Sequence, residues 1–509
     1  MHYSTITINS NECIGTSLST INYDFSLFDT LIYSLSSIVA SNSNTTVNVS
    51  EPAIGLGIQG PSNANAGYYT QNAHYKWGHF NSGAYQSEIS RSRFLDNYLL
   101  EHSSVTITKV FEAVDNTFIL LSDGSFWGMG SANYWQNIYI ASGPRSEDIL
   151  LQLNIMFSNK SVSDFDVSGD GNGWVDICVL CTDNSCYAWG YNAWGENGSG
   201  STVSVNHPVA VSIAGKTISQ VSVGGGAASN GANIMLLMTD GTVYAAGYNG
   251  LGQLGVGDTV DKHVFTQCKQ DAVTYLTGVA SLQKTGCYAM GWTRYVIKSD
   301  GTVWGAGWNG SSNLGTGSYT NSSYFIRVGT LTNIKKIVTA GFGSVTTIAA
   351  LDTSGNVYTW GYSGYGATGS GVVANLKVPT NITTYRQTPT TTASLPNIND
   401  IIGADTPNVG AIGLISVDNK LFLAGSYVFT SPSLFTNDSP HTTIYYQFEK
   451  APVHNVVEAS FYTNTEQSIG VIVRDINGIV WVWGLNEGGI VSSDYIDGWQ
   501  HIPVAKNFY

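Results

Sequence analysis

The chain has 509 residues, of which 21 are basic and 35 acidic, giving a formal charge of −14. Hydrophobic residues make up 43% and aromatics 12%, so the chain carries enough apolar surface to fold and is not disordered. Charged residues are only 11%, against roughly 25% in an average soluble domain, and no basic cluster exists to neutralise phosphates. Nucleic acid is therefore not an expected partner. No run of 18 apolar residues occurs either, so no membrane-inserted helix is expected.

The first element is a helix. Leu18, Ile21, Phe25, Phe28, Ile32, Leu35 and Val39 follow one another at alternating steps of three and four residues. That spacing puts them on one seam of a heptad helix, after cap candidates at Gly15-Thr16-Ser17. Leu27, Leu31 and Ile38 widen the apolar face. Two readings stand: a helix packed on its own domain, or an anchor that oligomerises the chain, with a homotrimer expected in the second case. Residues 1–50 are assigned to this region. The opening Met1-His2-Tyr3-Ser4-Thr5-Ile6-Thr7-Ile8-Asn9 lacks a basic stretch leading into an apolar one, so export through a signal peptide is not expected. The Gly, Ser, Thr and Asn content nevertheless suits an exterior protein. Release inside an assembled particle reconciles the two.

Residues 11–30, Asn11-Glu12-Cys13-Ile14-Gly15-Thr16-Ser17-Leu18-Ser19-Thr20-Ile21-Asn22-Tyr23-Asp24-Phe25-Ser26-Leu27-Phe28-Asp29-Thr30, resemble the amino-terminal segments of tail-fibre-like virion proteins of tailed bacteriophages. The resemblance implies a virion location and attachment to other virion proteins through this region. Residues 51–104 read as an irregular connector whose aromatics, Tyr68, Tyr69, Tyr75, Trp77, Phe80 and Tyr85, would be laid on other protein.

From residue 105 to 509 the sequence repeats itself. A turn, a β-prone aromatic segment and a closing glycine recur seven times, the first as Asp123-Gly124-Ser125-Phe126-Trp127-Gly128-Met129-Gly130 and the third as Asp240-Gly241-Thr242-Val243-Tyr244-Ala245-Ala246-Gly247. The closing glycines, Gly130, Gly190, Gly247, Gly307, Gly361, Gly425 and Gly484, recur every 54 to 64 residues. An apolar run such as Ile234-Met235-Leu236-Leu237-Met238 precedes each turn and reads as a buried strand. Asp-Gly supplies the positive φ that a tight hairpin needs. One hairpin cannot bury both its faces, so the units must stack. The expected fold is all-β, a seven-bladed β-propeller of four-stranded blades with an N-terminal α-helical anchor.

The unit is similar to the repeat of the regulator of chromosome condensation family. Gly247-Tyr248-Asn249-Gly250-Leu251-Gly252-Gln253-Leu254-Gly255-Val256-Gly257 follows that family's Gly-x-Asn-x-x-Gly-Gln-Leu-Gly-x-Gly segment. Trp308 to Gly317 and Tyr191 to Gly198 follow it in part. None of the nine histidines stands where that family commonly carries one, before the strand that enters the turn. The family's nucleotide-exchange loop has no counterpart, and its histone and DNA contacts ask for basic surface.

Chemistry is sparse. Cys178, Cys181 and Cys186 have a spacing that invites zinc, but repeat alignment makes Cys181 and Cys186 ordinary inward positions, and Cys178 and Cys181 fall on opposite faces of a strand. A disulfide across the turn between Cys181 and Cys186 is the remaining alternative. Asp166, Asp170 and Asp176 line an Asp/Gly-rich stretch that reads either as a calcium loop or as a polar turn between strands. No nucleophile elbow, phosphate loop or zinc-protease motif occurs, and a catalytic role is not expected. The recurring surface feature is aromatic. Tyr191, Tyr248, Trp308 and Tyr362 each follow a closing glycine, and Trp194 and Tyr365 stand three residues further on. Their expected role is contact with a host-surface glycan or protein, in a tail-fibre or spike-like virion protein. The alternative is a cellular or secreted interaction propeller of the same repeat family.

Overall fold

The computed structural model describes residues 5–6, 47–48, 65–70, 73–78, 90–91, 98–99, 101–113, 116–129, 151–169, 175–225, 231–283, 292–341, 343–388, 390–406, 409–426, 444–451, 453–463, 469–477, 479–485 and 499–506. Residues Met1–Leu56 form one compact unit and Gly57–Tyr509 another. In the first, Thr5–Ile6 pairs antiparallel with Val47–Asn48. The anchor seam from Leu18 to Val39 lies outside the described residues.

The second unit is all-β. From residue 107 onward its sheets follow the sequence repeats. Sheet 1 runs Ile107–Ala113, Asn116–Leu121, Phe126–Met129 and Leu151–Gln152; sheet 2 runs Val162–Gly169, Val175–Cys181, Cys186–Gly190 and Val205–Val211. Sheet 3 runs Ile218–Gly224, Asn233–Met238, Val243–Gly247 and Lys262–Gln267, and sheet 4 runs Val279–Leu282, Thr293–Lys298, Val303–Gly307 and Ser322–Arg327. Sheet 5 runs Ile334–Ala340, Thr347–Asp352, Val357–Gly361 and Leu376–Ile382; sheet 7 runs Val456–Thr463, Ile469–Asp475, Val480–Leu485 and Trp499–Lys506. Each is a four-stranded antiparallel meander in chain order.

Sheet 6 departs from the expected four strands. After Ile398–Thr406, Val409–Ser416, Leu421–Ser426 and Ile444–Lys450 it gains an edge hairpin, Thr384–Thr388 and Thr391–Ser394. Arg386 joins Glu449 in a parallel pair, and their side chains form an ion pair at 3.2 Å. This insertion accounts for the longest spacing between closing glycines. Part of the connector is also sheet. Asn65–Thr70, Ala73–Gly78 and Ser90–Arg91 form a three-stranded antiparallel sheet, with Tyr68 opposite Tyr75 and Tyr75 opposite Arg91. The dense aromatics there suit a pleated strand as well as they suit irregular packing.

The turn residues do what their chemistry dictates. Gly124, Gly241, Gly301 and Gly355 have φ between 75° and 88°, and Asn184 and Asn419, which replace glycine in two units, have 66° and 60°. In each of four turns the aspartate caps the returning strand: Oδ1 of Asp123, Asp183, Asp240 and Asp300 accepts from the N–H of Ser125, Ser185, Thr242 and Thr302 at 2.9–3.1 Å.

Burial falls from the middle of each sheet to its edge. Asn233–Met238 is buried at every position, whereas Lys262–Gln267 is half-buried or exposed throughout. A second strand buried on both faces must have a sheet on either side, which is why it is a continuous apolar run. Six hydrophobic clusters supply that packing. Phe118, Leu120 and Phe126 meet Phe165, Val167 and Val179; Cys178, Leu180 and Cys186 meet Val221, Val223, Ile234 and Leu236. Met235, Leu237 and Val243 meet Leu282, Val296 and Ala306; Tyr295, Ile297 and Val303 meet Ile337, Ile348 and Ala350. Ala349, Leu351 and Val357 meet Ile401, Ile412 and Leu414; Ile415, Leu421 and Leu423 meet Val456, Val471 and Val473. Each Val, Leu, Ile, Phe or Met among them contributes about 1.5–3 kcal/mol when fully buried.

Polar side chains lace the first strands together. Asp166 Oδ2 accepts from the Val223 N–H at 2.9 Å, Gln220 Oε1 from Leu282 at 2.8 Å and Gln283 Oε1 from Ile337 at 3.1 Å. Strand Asn65–Thr70 approaches the first strands of both sheet 1 and sheet 7. No helix among the described residues is long and apolar enough to cross a membrane.

Candidate functional site

The site is built by the loops that leave the third strand of sheets 2 to 5. Each starts at a closing glycine with positive φ: 136° at Gly190, 110° at Gly247 and Gly307, and 95° at Gly361. A Cβ on Gly247 would stand 2.4 Å from the Ala232 carbonyl oxygen, so the exit requires glycine. The aromatic that follows donates its N–H back across the hairpin: Tyr191 to Val175, Tyr248 to Ala232, Trp308 to Trp292 and Tyr362 to Thr346, at 2.7–3.2 Å.

A buried asparagine then folds the loop. Asn192, Asn249 and Asn309 are fully buried. Asn249 Nδ2 donates to the carbonyls of Asp258 and Val260 at 2.9 and 3.1 Å, while its Oδ1 accepts from the Leu254 N–H at 3.0 Å. Asn192 clasps Ser201, Val203 and Asn197 in the same way, and Asn309 clasps Ser318, Thr320 and Leu314. In sheet 5 the position is Ser363, whose hydroxyl contacts the Val372 carbonyl and Thr368 Oγ1. The asparagine was visible in sequence as a repeat residue, but its role as a clasp was not.

All six rim aromatics expected from the sequence lie at this end, each half-buried. Trp194 crosses to the next unit and meets Tyr248 edge-on at 4.9 Å, and Tyr362 meets Tyr365 edge-on at 5.2 Å. Trp308 has a partner the sequence reading missed, Trp292, at 5.5 Å. The rings of Tyr248, Trp308 and Tyr362 also lie over glycines two residues later. A Cβ on Gly250, Gly310 or Gly364 would stand 2.3–2.7 Å from a ring atom.

Beneath the first loop sits a buried acid pair. Glu196 occupies the place of Gln253 in the next unit, and its Oε2 accepts from the Trp194 N–H at 2.9 Å, as Gln253 Oε1 does from Leu251 at 3.0 Å. Burial, and next the charge of Asp176, push the Glu196 carboxyl well above the usual carboxylate range. It is hydrogen-bonded to Asp176, whose Oδ1 also accepts from the Asn192 N–H at 3.2 Å.

A second buried polar group lies between sheets. Arg294, 1% exposed, donates from Nη2 to the carbonyl and Oγ of Ser222 at 3.2 and 2.7 Å. Burial lowers it to about 10, opposed by the negative charge of Asp166. Asp166 and Asp176, two of the three calcium candidates, therefore serve the Val223 and Asn192 N–H groups; Asp170 lies outside the described residues. Among the described residues no three His, Cys, Asp or Glu side chains gather to hold a metal.

The cysteines follow the strand faces. Cys178 and Cys186 share the sheet 2–3 cluster with sulfurs 3.6 Å apart, while Cys181 belongs to the sheet 1–2 cluster. The cross-turn pair of Cys181 and Cys186 is thus corrected: Cys186 faces Cys178, because its position opposite Leu180 puts it on Cys178's side of the pleat.

Residues 183–228 match the model of the Regulator of chromosome condensation (RCC1) repeat. The chain is 28% identical over 195 residues to the ultraviolet-B receptor UVR8 of Arabidopsis thaliana, covering 38% of this chain and 40% of that protein. It is 31% identical over 151 residues to the X-linked retinitis pigmentosa GTPase regulator of Mus musculus, covering 28% and 14%. The matches span two fifths or less of these relatives' length. Among solved structures, Prp20p of Saccharomyces cerevisiae, whose crystal structure was described with its binding to Gsp1p and histones, is 16% identical. It aligns over 74% of this chain and 85% of that one at a TM-score of 0.50. The fold is that of a β-propeller built on RCC1-type repeats.

Proposed function

We propose that the seven sheets close into a ring and that this propeller is a non-catalytic recognition module of a tail-fibre or spike-like bacteriophage virion protein. The observation that carries the recognition role is the set of four consecutive clasped loops, which hold six aromatic rings half-exposed at one end of the sheets. Aromatic rings fixed by buried hydrogen bonds lose little entropy on binding, which suits contact rather than turnover. Chain-order packing of the sheets, and the approach of Asn65–Thr70 to both the first and the last, support closure. Residues 1–50 then act as the trimeric anchor to other virion proteins.

The second reading, a cellular interaction propeller, is favoured by the relatives: a photoreceptor and a GTPase regulator carry similar repeats, and Prp20p was studied for binding to Gsp1p and histones. Immunogold labelling with antiserum against the chain separates the two. Labelled tails or spikes on particles from the source culture support the virion reading; label confined to cell interiors overturns it.

A further inference from the structure

The recognition end has a chemistry that narrows its ligand. Residues 191–204, 248–261, 308–321 and 362–375 make up its four loops, and their charged side chains are only Glu196, Asp258 and Asp261. Glu196 is buried beside Asp176, away from the surface a ligand would touch. Asp258 is engaged by Lys262 at 2.9 Å and by the Val260 N–H at 3.0 Å, and Asp261 by the Asn249 N–H at 2.7 Å. Loops 308–321 and 362–375 carry no charge at all. An anionic ligand would meet no cation in these loops, and a cationic one only spent carboxylates.

The rings, meanwhile, are held flat. Tyr248, Trp308 and Tyr362 each rest on a glycine where any side chain would collide with the ring. Edge-on partners, Trp194 for Tyr248, Trp292 for Trp308 and Tyr365 for Tyr362, block rotation from the side. What results is a set of fixed rings in hydroxyl- and amide-rich loops, where the neighbouring cations Lys262 and Lys377 are taken up by Asp258 and by the Tyr319 ring. A neutral sugar ring has the matching features: an apolar C–H face to stack and hydroxyls for Ser, Thr and Asn neighbours.

We infer that this end binds a neutral glycan chain, with Trp308, Tyr248 and Tyr362 as stacking platforms along it; the inference rests on the recognition reading and names its ligand class. Affinity electrophoresis of the full chain tests it, in native gels containing dextran, amylose, mannan or a β-1,3-glucan, with alginate as an anionic control. Retardation by a neutral polymer is expected. Trp308→Ala should weaken it about tenfold, the loss of one desolvated stacking contact, while Trp308→Phe keeps most of it. Gly310→Ala, which leaves the tryptophan in place but pushes on its ring, should weaken it as well. Mobility in polymer-free gels reports folding of each variant. Absence of retardation by every neutral polymer, or retardation unmoved by these substitutions, overturns the glycan assignment. Binding of the same variants to intact host cells separates the layers. If Trp308→Ala loses cell binding without any glycan retardation, only the ligand class is wrong. If cell binding is unmoved, the recognition end itself is wrong.

Discussion

Replacing Glu196 with glutamine should make the protein more stable as pH rises, relative to the parent. In the fold this carboxyl is buried and hydrogen-bonded to Asp176, and burial followed by the Asp176 charge raises its pKa well above the ordinary 4.5. In the unfolded chain it ionises near that ordinary value. Folding therefore takes up a proton at any pH between the two, and the stabilisation present below about pH 4.5 is lost as pH climbs toward the folded-state value. The slope over that window is about 1.4 kcal/mol per pH unit, so the advantage of Glu196→Gln should widen as pH rises above about 4.5 and level off once the folded carboxyl ionises. Glutamine fits the site, because Gln253 fills the equivalent place in the next unit and accepts the same kind of loop N–H. Urea unfolding followed by tryptophan fluorescence at pH 5, 6, 7 and 8 gives the comparison. Parallel stability profiles for the two proteins would refute a protonated Glu196.

Asn249→Ala should destabilise by about 2–3 kcal/mol, since it removes three clasp hydrogen bonds and leaves the buried Leu254 N–H without its acceptor; urea midpoints check this, and increased proteolysis within 250–261 should accompany it. Arg294→Ala takes the guanidinium from Ser222 and removes the positive charge that faces Asp166, and should cost about 3–5 kcal/mol by the same assay. Cys178, Cys181, Cys186 and Cys268 are buried, so a thiol reagent should leave them unmodified in the native protein and react fully after denaturation. Removing residues 1–50 should convert a trimer into a monomer in native mass measurements, and two monomers would remove the anchor.

The repeating core was legible because its physics is local and repeated. Asp-Gly and Asp-Asn turns, double-sided apolar strands and closing glycines each have one structural meaning, and seven copies average out the degenerate ones. What escaped detection depends on contacts across strands and sheets. Trp292 lies outside the repeated motif, yet reaches Trp308 because both flank the same hairpin. The edge hairpin of sheet 6 hides in a spacing only a little longer than the rest. The buried thiols were legible, but the cross-turn alternative of Cys181 with Cys186 fails because spacing along the chain ignores which side of the pleat a residue takes. That Asp166 and Asp176 accept from N–H groups on the next sheet and in the loop above is likewise something no stretch of sequence reveals.

The same residues that make the repeat foldable also make its end a surface. Asn192, Asn249 and Asn309 have no freedom to serve a ligand, because each is buried and occupied in closing its own loop. Their effect is to fix what stands next to them. The aromatic that precedes each asparagine is tied by its backbone to the hairpin below, and the rings of Tyr248 and Trp308 are set over the glycine that follows. Ser363 performs the clasp with a hydroxyl and still leaves Tyr362 over Gly364, so the arrangement depends on a small buried hydrogen-bonding side chain rather than on asparagine itself. A unit that lost this clasp would keep its hairpin and its place between neighbouring sheets while losing an ordered ring. Asn249→Ser should therefore preserve the order of the Tyr248 ring where Asn249→Ala does not.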